Sequence, residues 1–193
     1  DASLPTAHEQ YLLEMVNRGR ADPLAEATRY GIDLNEGLPS GTISASAKQP
    51  LAFNHFLIDA AQRHSQWQLD TDTFSHTGAG GSSAGDRMTA AGYEFTGSWT
   101  WGENIGWVGS TGSIDVTDTT AAIHKGLFLS KGHRTNLMGE DFREIGLGVR
   151  PGEFTADGMT YNAVMVTENF AASGTSRFLT GVAYDDDGGV NDD

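Results

Sequence analysis

The chain has 193 residues, a length that suits one domain with a substantial hydrophobic core. It carries 26 acidic and 12 basic side chains, and the net charge of −14 disfavours nucleic acid and anionic membranes as partners. Cysteine is absent, so disulfides and thiolate metal sites are excluded. No apolar run approaches the roughly 20 residues that span a bilayer, so we predict no membrane-spanning segment.

Capping residues and helical spacing of apolar side chains predict five helices. They cover residues 7–19, 23–30, 54–69, 86–91 and 115–129. The first opens with a capping box of Thr6 and Glu9, and the second begins with proline at its first helical position. Gly126 weakens the last helix and predicts close packing against a neighbouring element.

The last third of the chain predicts strands instead of helices. Residues 144–149 alternate as in a half-buried strand, and residues 161–167 return as its antiparallel partner after a turn at 151–158. Residues 178–184 predict one more strand, whereas the Gly, Ser and Pro in residues 31–50 indicate a long surface loop. Because the helices come first and the strands last, the predicted class is α+β, arranged as a layered sandwich.

Residues 98–107 hold three of the four tryptophans, with Glu103 among them and Gly102 and Gly106 on either side. We interpret this segment as a loop. A carboxylate among aromatic rings is poorly hydrated, so its pKa should rise unless a cation, a metal or a hydrogen-bond donor compensates. Two interpretations are open: Glu103 serves a functional site, or it is a buried side chain that accepts backbone hydrogen bonds.

Seven short motifs follow one another in a characteristic order. They are Val16-Asn17-Arg18, Leu51-Ala52-Phe53-Asn54, Phe74-Ser75-His76, Asp86-Arg87-Met88, Gly102-Glu103-Asn104-Ile105, Ser130-Lys131-Gly132-His133-Arg134 and Phe142-Arg143-Glu144-Ile145-Gly146. From about residue 7 to 172 this order resembles the CAP superfamily (cysteine-rich secretory proteins, antigen 5, pathogenesis-related protein 1), in its bacterial SCP-like branch.

The resemblance implies a three-layer α-β-α sandwich with a central antiparallel sheet, and a protein that is secreted to the extracellular space. Residues 1–172 would form the CAP domain. Residues 173–193 would add a strand and an acidic linker that leads into a further extracellular domain. The aspartates of residues 185–193 favour a solvated linker, with calcium as an alternative ligand of this acidic surface.

The resemblance also implies a large cleft in which two histidines and two glutamates bind a divalent metal. The matching positions here are His76, Glu103 and His133. Ser130 stands where the eukaryotic pattern has its second glutamate, and Leu127 stands where that pattern has a tryptophan. The tetrad is therefore reduced to a triad, in which His76 and His133 are the candidate metal ligands and Glu103 is the candidate catalytic residue.

Two neutral imidazoles and one carboxylate suit zinc, with one coordination position left for water. Zinc acidifies a bound water to a pKa of about 7, which would permit hydrolysis of an ester or an amide. Alternatively, Glu103 bridges His76 and His133 in a buried hydrogen-bonded network that binds no ligand.

Four further residues are candidates for auxiliary roles. His124 either faces solvent from its helix or reaches the cleft, and Glu144 or Glu168 could supply the missing carboxylate. Trp101, like Trp99 and Trp107, either lines the cleft or belongs to the core.

The sequence therefore predicts a secreted binding module whose cleft holds a divalent cation, a small ligand, a peptide or a glycan. A metal-dependent hydrolase acting on peptide or cell-wall material is the first alternative. The second is a purely structural module of a larger exported protein.

Overall fold

Six α-helices lie within the part of the chain that the computed structural model describes, residues 3–175 and 177–178. They are α1 (Ala7–Ala21), α2 (Pro23–Arg29), α3 (His55–Asp70), α4 (Ala84–Ala91), α5 (Val116–Leu129) and α6 (Lys131–Leu137). The first five confirm the sequence prediction, and α6 is an addition to it. At five helix starts a side chain accepts a hydrogen bond from the first turn, namely at Thr6, Asp22, Asn54, Ser83 and Asp115.

Four strands of the described residues form one sheet in the order β1-β3-β4-β2. They are β1 (Ala52–Phe53), β2 (Trp99–Ser110), β3 (Glu144–Ala156) and β4 (Met159–Ser173). The sheet is antiparallel except for the short parallel pairing of β1 with β3. The predicted antiparallel core of the sheet is thus confirmed, and β1 makes the whole sheet mixed.

The interpretation of residues 98–107 as a loop is wrong, because they belong to β2. Large side chains alternate there with small or polar ones, so that Trp101 and Glu103 point to one face while Gly102 and Gly106 point to the other. Glycines on both sides of a residue are typical of loops as well as of tightly packed strands. In the fold they leave room for side chains that pack onto this face of β2.

The predicted hairpin of β3 and β4 is confirmed, but its turn is shorter than residues 151–158. β3 continues through Pro151 to Ala156, and the chain reverses at Asp157 and Gly158, whose φ angles are 51° and 76°. Pro151 is tolerated in β3 because β1 pairs with β3 only at Glu144 and Ile145, which leaves the edge free at the proline. The strand predicted from residue 178 to 184, the linker and any further domain lie outside the described residues, apart from Phe178 itself.

The helices cover both faces of the sheet, which confirms the α+β class and the three-layer α-β-α sandwich. α3 and α4 pack on one face, while α1, α5 and α6 pack on the other. The larger apolar cluster lies on the second face, where Ile145, Leu147 and Val149 of β3 are buried. Burying each such side chain is worth roughly 1.5–3 kcal/mol. Within the described residues, no helix is both long and apolar enough to cross a membrane.

On the sheet face that α3 covers, β3 carries Gly146 and Gly148, and the absence of side chains there lets α3 approach the sheet closely. A Cβ atom on Gly146 would lie 1.9 Å from the carbonyl carbon of Leu57, and one on Gly148 would lie 2.4 Å from the carbonyl oxygen of Ala61. Both contacts involve helix backbone, which cannot rotate away. Gly126 of α5 differs, because its Cβ would meet nothing within 4 Å, so the close packing predicted for it is wrong.

These two glycines give opposite expectations for substitution by alanine. Gly146→Ala must displace α3 from the sheet, and we expect it to lower the free energy of unfolding by about 3 kcal/mol or more. Gly126→Ala adds a good helix former in open space and should raise that free energy by about 1 kcal/mol. Urea denaturation of both variants and the wild type measures these changes. A Gly146→Ala variant within about 1 kcal/mol of the wild type would contradict the packing described here.

Candidate functional site

Glu103 lies on the face of β2 that α3 and α4 cover, and its side chain is 2% exposed. Its Oε1 is 2.9 Å from His76 Nδ1, and its Oε2 is 2.5 Å from Arg87 Nη2. Asn169 of the neighbouring strand, with its amide oriented to satisfy both neighbours, donates to Oε2 at 3.2 Å and accepts from the backbone N–H of Ala61 at 3.2 Å. The buried carboxylate therefore has the compensating cation and donors that its burial requires.

Arg87 of α4 joins Glu103 to the loop that carries His76. Its Nη1 donates to the carbonyl oxygens of His76 at 3.1 Å and Ser82 at 2.9 Å. A Cβ atom on Gly78 would lie 2.9 Å from this nitrogen, so the loop passes the guanidinium at a glycine. The sequence reasoning missed Arg87 as a site residue. The sequence does contain a signal for it: Arg87 is the one basic residue of the Asp86-Arg87-Met88 motif, and a buried Glu103 needs a cation nearby.

His76 presents one of its two ring nitrogens to solvent. The Nδ1 atom contacts Glu103 while 59% of the side chain is exposed, so Nε2 is the nitrogen available to a ligand. The residue before His76 is held by His64 of α3, whose Nε2 is 3.0 Å from the carbonyl oxygen of Ser75. Burial lowers the pKa of His64 to about 4, so it is neutral at pH 7 and supports the loop as a structural residue.

His133 lies in α6 and approaches β2 from the opposite face. Its ring is half-buried, and its Nδ1 has no hydrogen-bond partner among the described residues. Burial lowers the pKa of His133, and the nearby positive charge of a protonated His76 lowers it further. The structure thus brings the two predicted histidines to the same edge of the sheet. Within residues 3–175 and 177–178, however, no three His, Asp or Glu side chains are grouped to hold a metal ion.

A cavity of about 270 Å³ lies between β2 and α5, next to His133. Its lining is mostly apolar and includes Phe74, Ile105, Trp107, Ile123 and Leu127. Ser130, which stands where the eukaryotic pattern has its second glutamate, also lines this cavity and supplies a hydroxyl there. Gly126 lines the same cavity, and its missing side chain keeps this volume open.

The three tryptophans of β2 have different environments. Trp107 lines the cavity and packs on Phe154 with a ring separation of 4.7 Å. Trp101 packs instead against α4, where a Cβ on Gly85 would lie 2.9 Å from its Nε1. Trp99 is 54% exposed near the start of the strand, away from the cavity.

Two auxiliary candidates have structural partners outside the cleft. His124 neither faces solvent nor reaches the cleft, so both positions considered for it are wrong: it is 1% exposed, and its Nε2 lies 3.4 Å from Glu26 of α2. Glu144 accepts hydrogen bonds from Asn54 at 2.8 Å and from the Tyr93 hydroxyl at 2.6 Å. Both oxygens of Glu144 therefore join β3 to its surroundings.

Glu168 of β4 is fully buried on the sheet face that α6 covers. Its Oε2 accepts from Asn104 at 2.9 Å, and Asn104 also donates to the carbonyl oxygen of His133 at 3.3 Å. Its Oε1 has no partner among the described residues. Burial raises the pKa of Glu168 to about 7. Glu168 thus supports the helix that carries His133, on the opposite side of the sheet from Glu103.

Because Arg87 compensates the buried charge of Glu103, we expect removal of this arginine to lower the stability of the protein strongly. Arg87→Ala leaves a buried carboxylate with weaker compensation, and we expect a loss of about 3 kcal/mol in the free energy of unfolding. The double variant Arg87→Ala, Glu103→Gln should recover part of this loss. Arg63→Ala is the control, because its pair with Asp59 has an arginine side chain that is 75% exposed. Equal costs for Arg87→Ala and Arg63→Ala in urea denaturation would contradict the buried pair.

Because burial raises the pKa of Glu168, we expect the difference in free energy of unfolding between the wild type and Glu168→Gln to depend on pH. Its pKa is about 7 in the folded protein, against an ordinary value of 4.5. The stabilisation associated with protonated Glu168 is therefore complete below pH 4.5 and is lost as the pH rises through 7. Glutamine mimics the protonated acid, so the variant should gain about 3 kcal/mol relative to the wild type between acidic and mildly alkaline pH. Urea denaturation at several pH values measures this, and a difference that is constant with pH would refute it.

Comparisons with known proteins agree with this architecture. The profile of the cysteine-rich secretory protein family, CAP, matches residues 13–170. An outer surface protein of Borrelia burgdorferi is 13% identical, with a TM-score of 0.56 over 89% of this chain and 97% of that one. The protein BmVAL-1 is 14% identical, with a TM-score of 0.53 over 91% of this chain and 82% of that one. At these identities the likeness concerns the fold alone.

An extracellular protein with an SCP domain from Bacillus anthracis is 22% identical, with a TM-score of 0.49 over 87% of this chain. The present chain spans 44% of the length of that protein. A comparison with curated proteins finds no match. Since the family profile covers most of the sequence and the sandwich fold agrees with it, the chain belongs to the CAP family, the cysteine-rich secretory protein family.

Proposed function

We propose that the chain is a secreted binding module whose cleft holds a divalent cation through His76 and His133. The cation and the adjoining apolar cavity would together engage a small ligand or a short peptide. One observation carries this proposal: a buried carboxylate orients His76 so that its Nε2 is available, at the same strand edge as the neutral His133. Secretion is proposed from the family and from a similar fold in an outer surface protein.

The donor set suits zinc better than calcium or magnesium, because imidazole nitrogen is a preferred zinc ligand and the harder cations prefer oxygen. Zinc-bound histidines commonly donate their other ring N–H to a carboxylate. Glu103 is placed to be that carboxylate for the Nδ1 atom of His76. Bound zinc would supply a Lewis acid for a carbonyl or carboxylate of the ligand. Two protein ligands bind more weakly than three, so we expect affinity in the micromolar range.

Glu103 supports a binding role more than a hydrolytic one. Its Oε1 contacts His76 and its Oε2 contacts Arg87, so both oxygens already have cationic or hydrogen-bonding partners. A general base must have a lone pair directed at a reacting water. The ion pair with Arg87 instead favours an orienting role, and the proposed function is a binding module in preference to a metal-dependent hydrolase.

The cavity explains why a ligand larger than a cation is included. Its lining is mostly apolar, with the hydroxyl of Ser130 and the imidazole of His133 as polar groups. Ligand sites typically combine such an apolar lining with a few polar groups that fix orientation. The missing side chain at Gly126 keeps this volume open.

Zinc titration by calorimetry of chelator-stripped protein tests the proposal. The wild type should bind zinc at micromolar Kd, and the double variant His76→Ala, His133→Ala should show no binding. His55→Ala is the matched control, since His55 is an exposed histidine on α3 away from the cleft, and it should bind like the wild type. Thermal unfolding verifies that each variant is folded. Folded wild type that binds no zinc, or a double variant that binds equally well, would refute the proposed cation site.

A further inference from the structure

A second groove lies at the start of β2, where its lining residue Trp99 is about 23 Å along the strand from Gly106 of the cavity. Its volume is about 380 Å³, within the range of small-molecule sites. Part of its wall is formed by Ala172 and Ser173 at the end of β4 and by the following Gly174, and these small residues leave the groove open. This groove shares no lining residue with the cavity beside His133.

Trp99 forms an aromatic platform in this groove. Its side chain is 54% exposed, although a row of rings supports it from behind. Phe95 lies 5.1 Å from Trp99, and Tyr93 lies 5.0 Å from Phe95. Tyr93 is 4% exposed and donates its hydroxyl proton to Glu144, so the row is anchored in the core. The indole is thus held in place while it remains open to a ligand.

Two arginines give the groove a positive charge in a chain whose net charge is −14. Arg143 and Arg177 both line it, and neither forms an ion pair with a carboxylate of the described residues. Arg143 is oriented by donating from Nη1 to the carbonyl oxygens of Glu140 at 2.5 Å and Phe142 at 2.8 Å. Asp141 also lines the groove, so its lining contains two guanidinium groups and one carboxylate and carries a net positive charge.

We infer that this groove binds an acidic saccharide, in which a sugar ring stacks on Trp99 and a uronic carboxylate binds the arginines. The C–H face of a sugar ring complements the electron-rich face of an indole. A planar guanidinium matches a carboxylate through paired hydrogen bonds. Ser98 and Thr100 line the groove as well and supply hydroxyl groups for sugar hydroxyls.

This combination favours a saccharide over an acidic peptide or a free anion. A peptide carboxylate needs the arginines but not a rigid, exposed indole with hydroxyl groups beside it. A free sulfate or phosphate ion would leave most of the groove empty. The sugar ring is the part of the ligand that accounts for both the exposed Trp99 and the volume of the groove.

Calorimetric titration with trigalacturonic acid tests the inference, with its fully methyl-esterified form as the uncharged control. We expect the acid to bind, and the ester to bind at least about tenfold more weakly, because a charge-assisted hydrogen bond contributes about 1.5 kcal/mol or more. Trp99→Ala and Arg177→Gln should each raise the Kd for the acid about tenfold. Arg63→Gln, which makes the same change in net charge at an exposed arginine on α3, should leave the Kd unchanged.

Three outcomes would overturn the inference. They are no binding of the acid by folded wild type, equal binding of acid and ester, and binding of hexaglutamate or sulfate as tight as that of the acid with no effect of Trp99→Ala. Thermal unfolding verifies that the variants are folded. Zinc titration of Trp99→Ala separates this site from the cleft, because that variant should bind zinc like the wild type.

Discussion

The buried ion pair of Glu103 and Arg87 is the interaction on which the cleft depends. Glu103 lies on an edge strand, and Arg87 lies on a helix of the layer that covers it. A carboxylate with a 2% exposed side chain would be costly without a cation, and Arg87 supplies that cation while its other nitrogen holds the loop of His76. One guanidinium therefore fixes the carboxylate, the loop and, through Glu103, the orientation of the His76 ring.

The edge position of β2 explains how residues from opposite faces of the sheet meet. A central strand would separate its two faces with paired neighbours, whereas β2 pairs only with β4 in the described part of the sheet. His76 approaches this edge from the layer of α3 and α4, and His133 approaches it from α6. Asn104 holds α6 there through its bond to the carbonyl oxygen of His133. Alternation along β2 thus assigns Glu103 to the support of one histidine and Asn104 to the other.

Much of this fold could be predicted from the sequence, because caps and apolar spacing are local signals. Thr6, Asn54 and Asp115 begin helices where their side chains predict them. β2 could not be predicted in this way, since Gly102 and Gly106 resemble loop residues until the helices that pack against them are known. The motifs identified His76, Glu103 and His133, but not that Arg87 occupies the second oxygen of Glu103. That contact joins separate elements, and no spacing in the sequence encodes it.

The distribution of carboxylates across the sheet limits the chemistry of the cleft. Ser130 lines the cavity where the eukaryotic pattern has a glutamate, and Glu103 is neutralised by Arg87. Glu168 has an oxygen without a described partner, but it is buried beneath α6 on the other side of the sheet, and burial raises its pKa to about 7. Neither glutamate is placed as a free base beside the two histidines. The cleft therefore offers imidazole nitrogens and an apolar wall without a free carboxylate beside them, which fits the binding role proposed above better than a hydrolytic one.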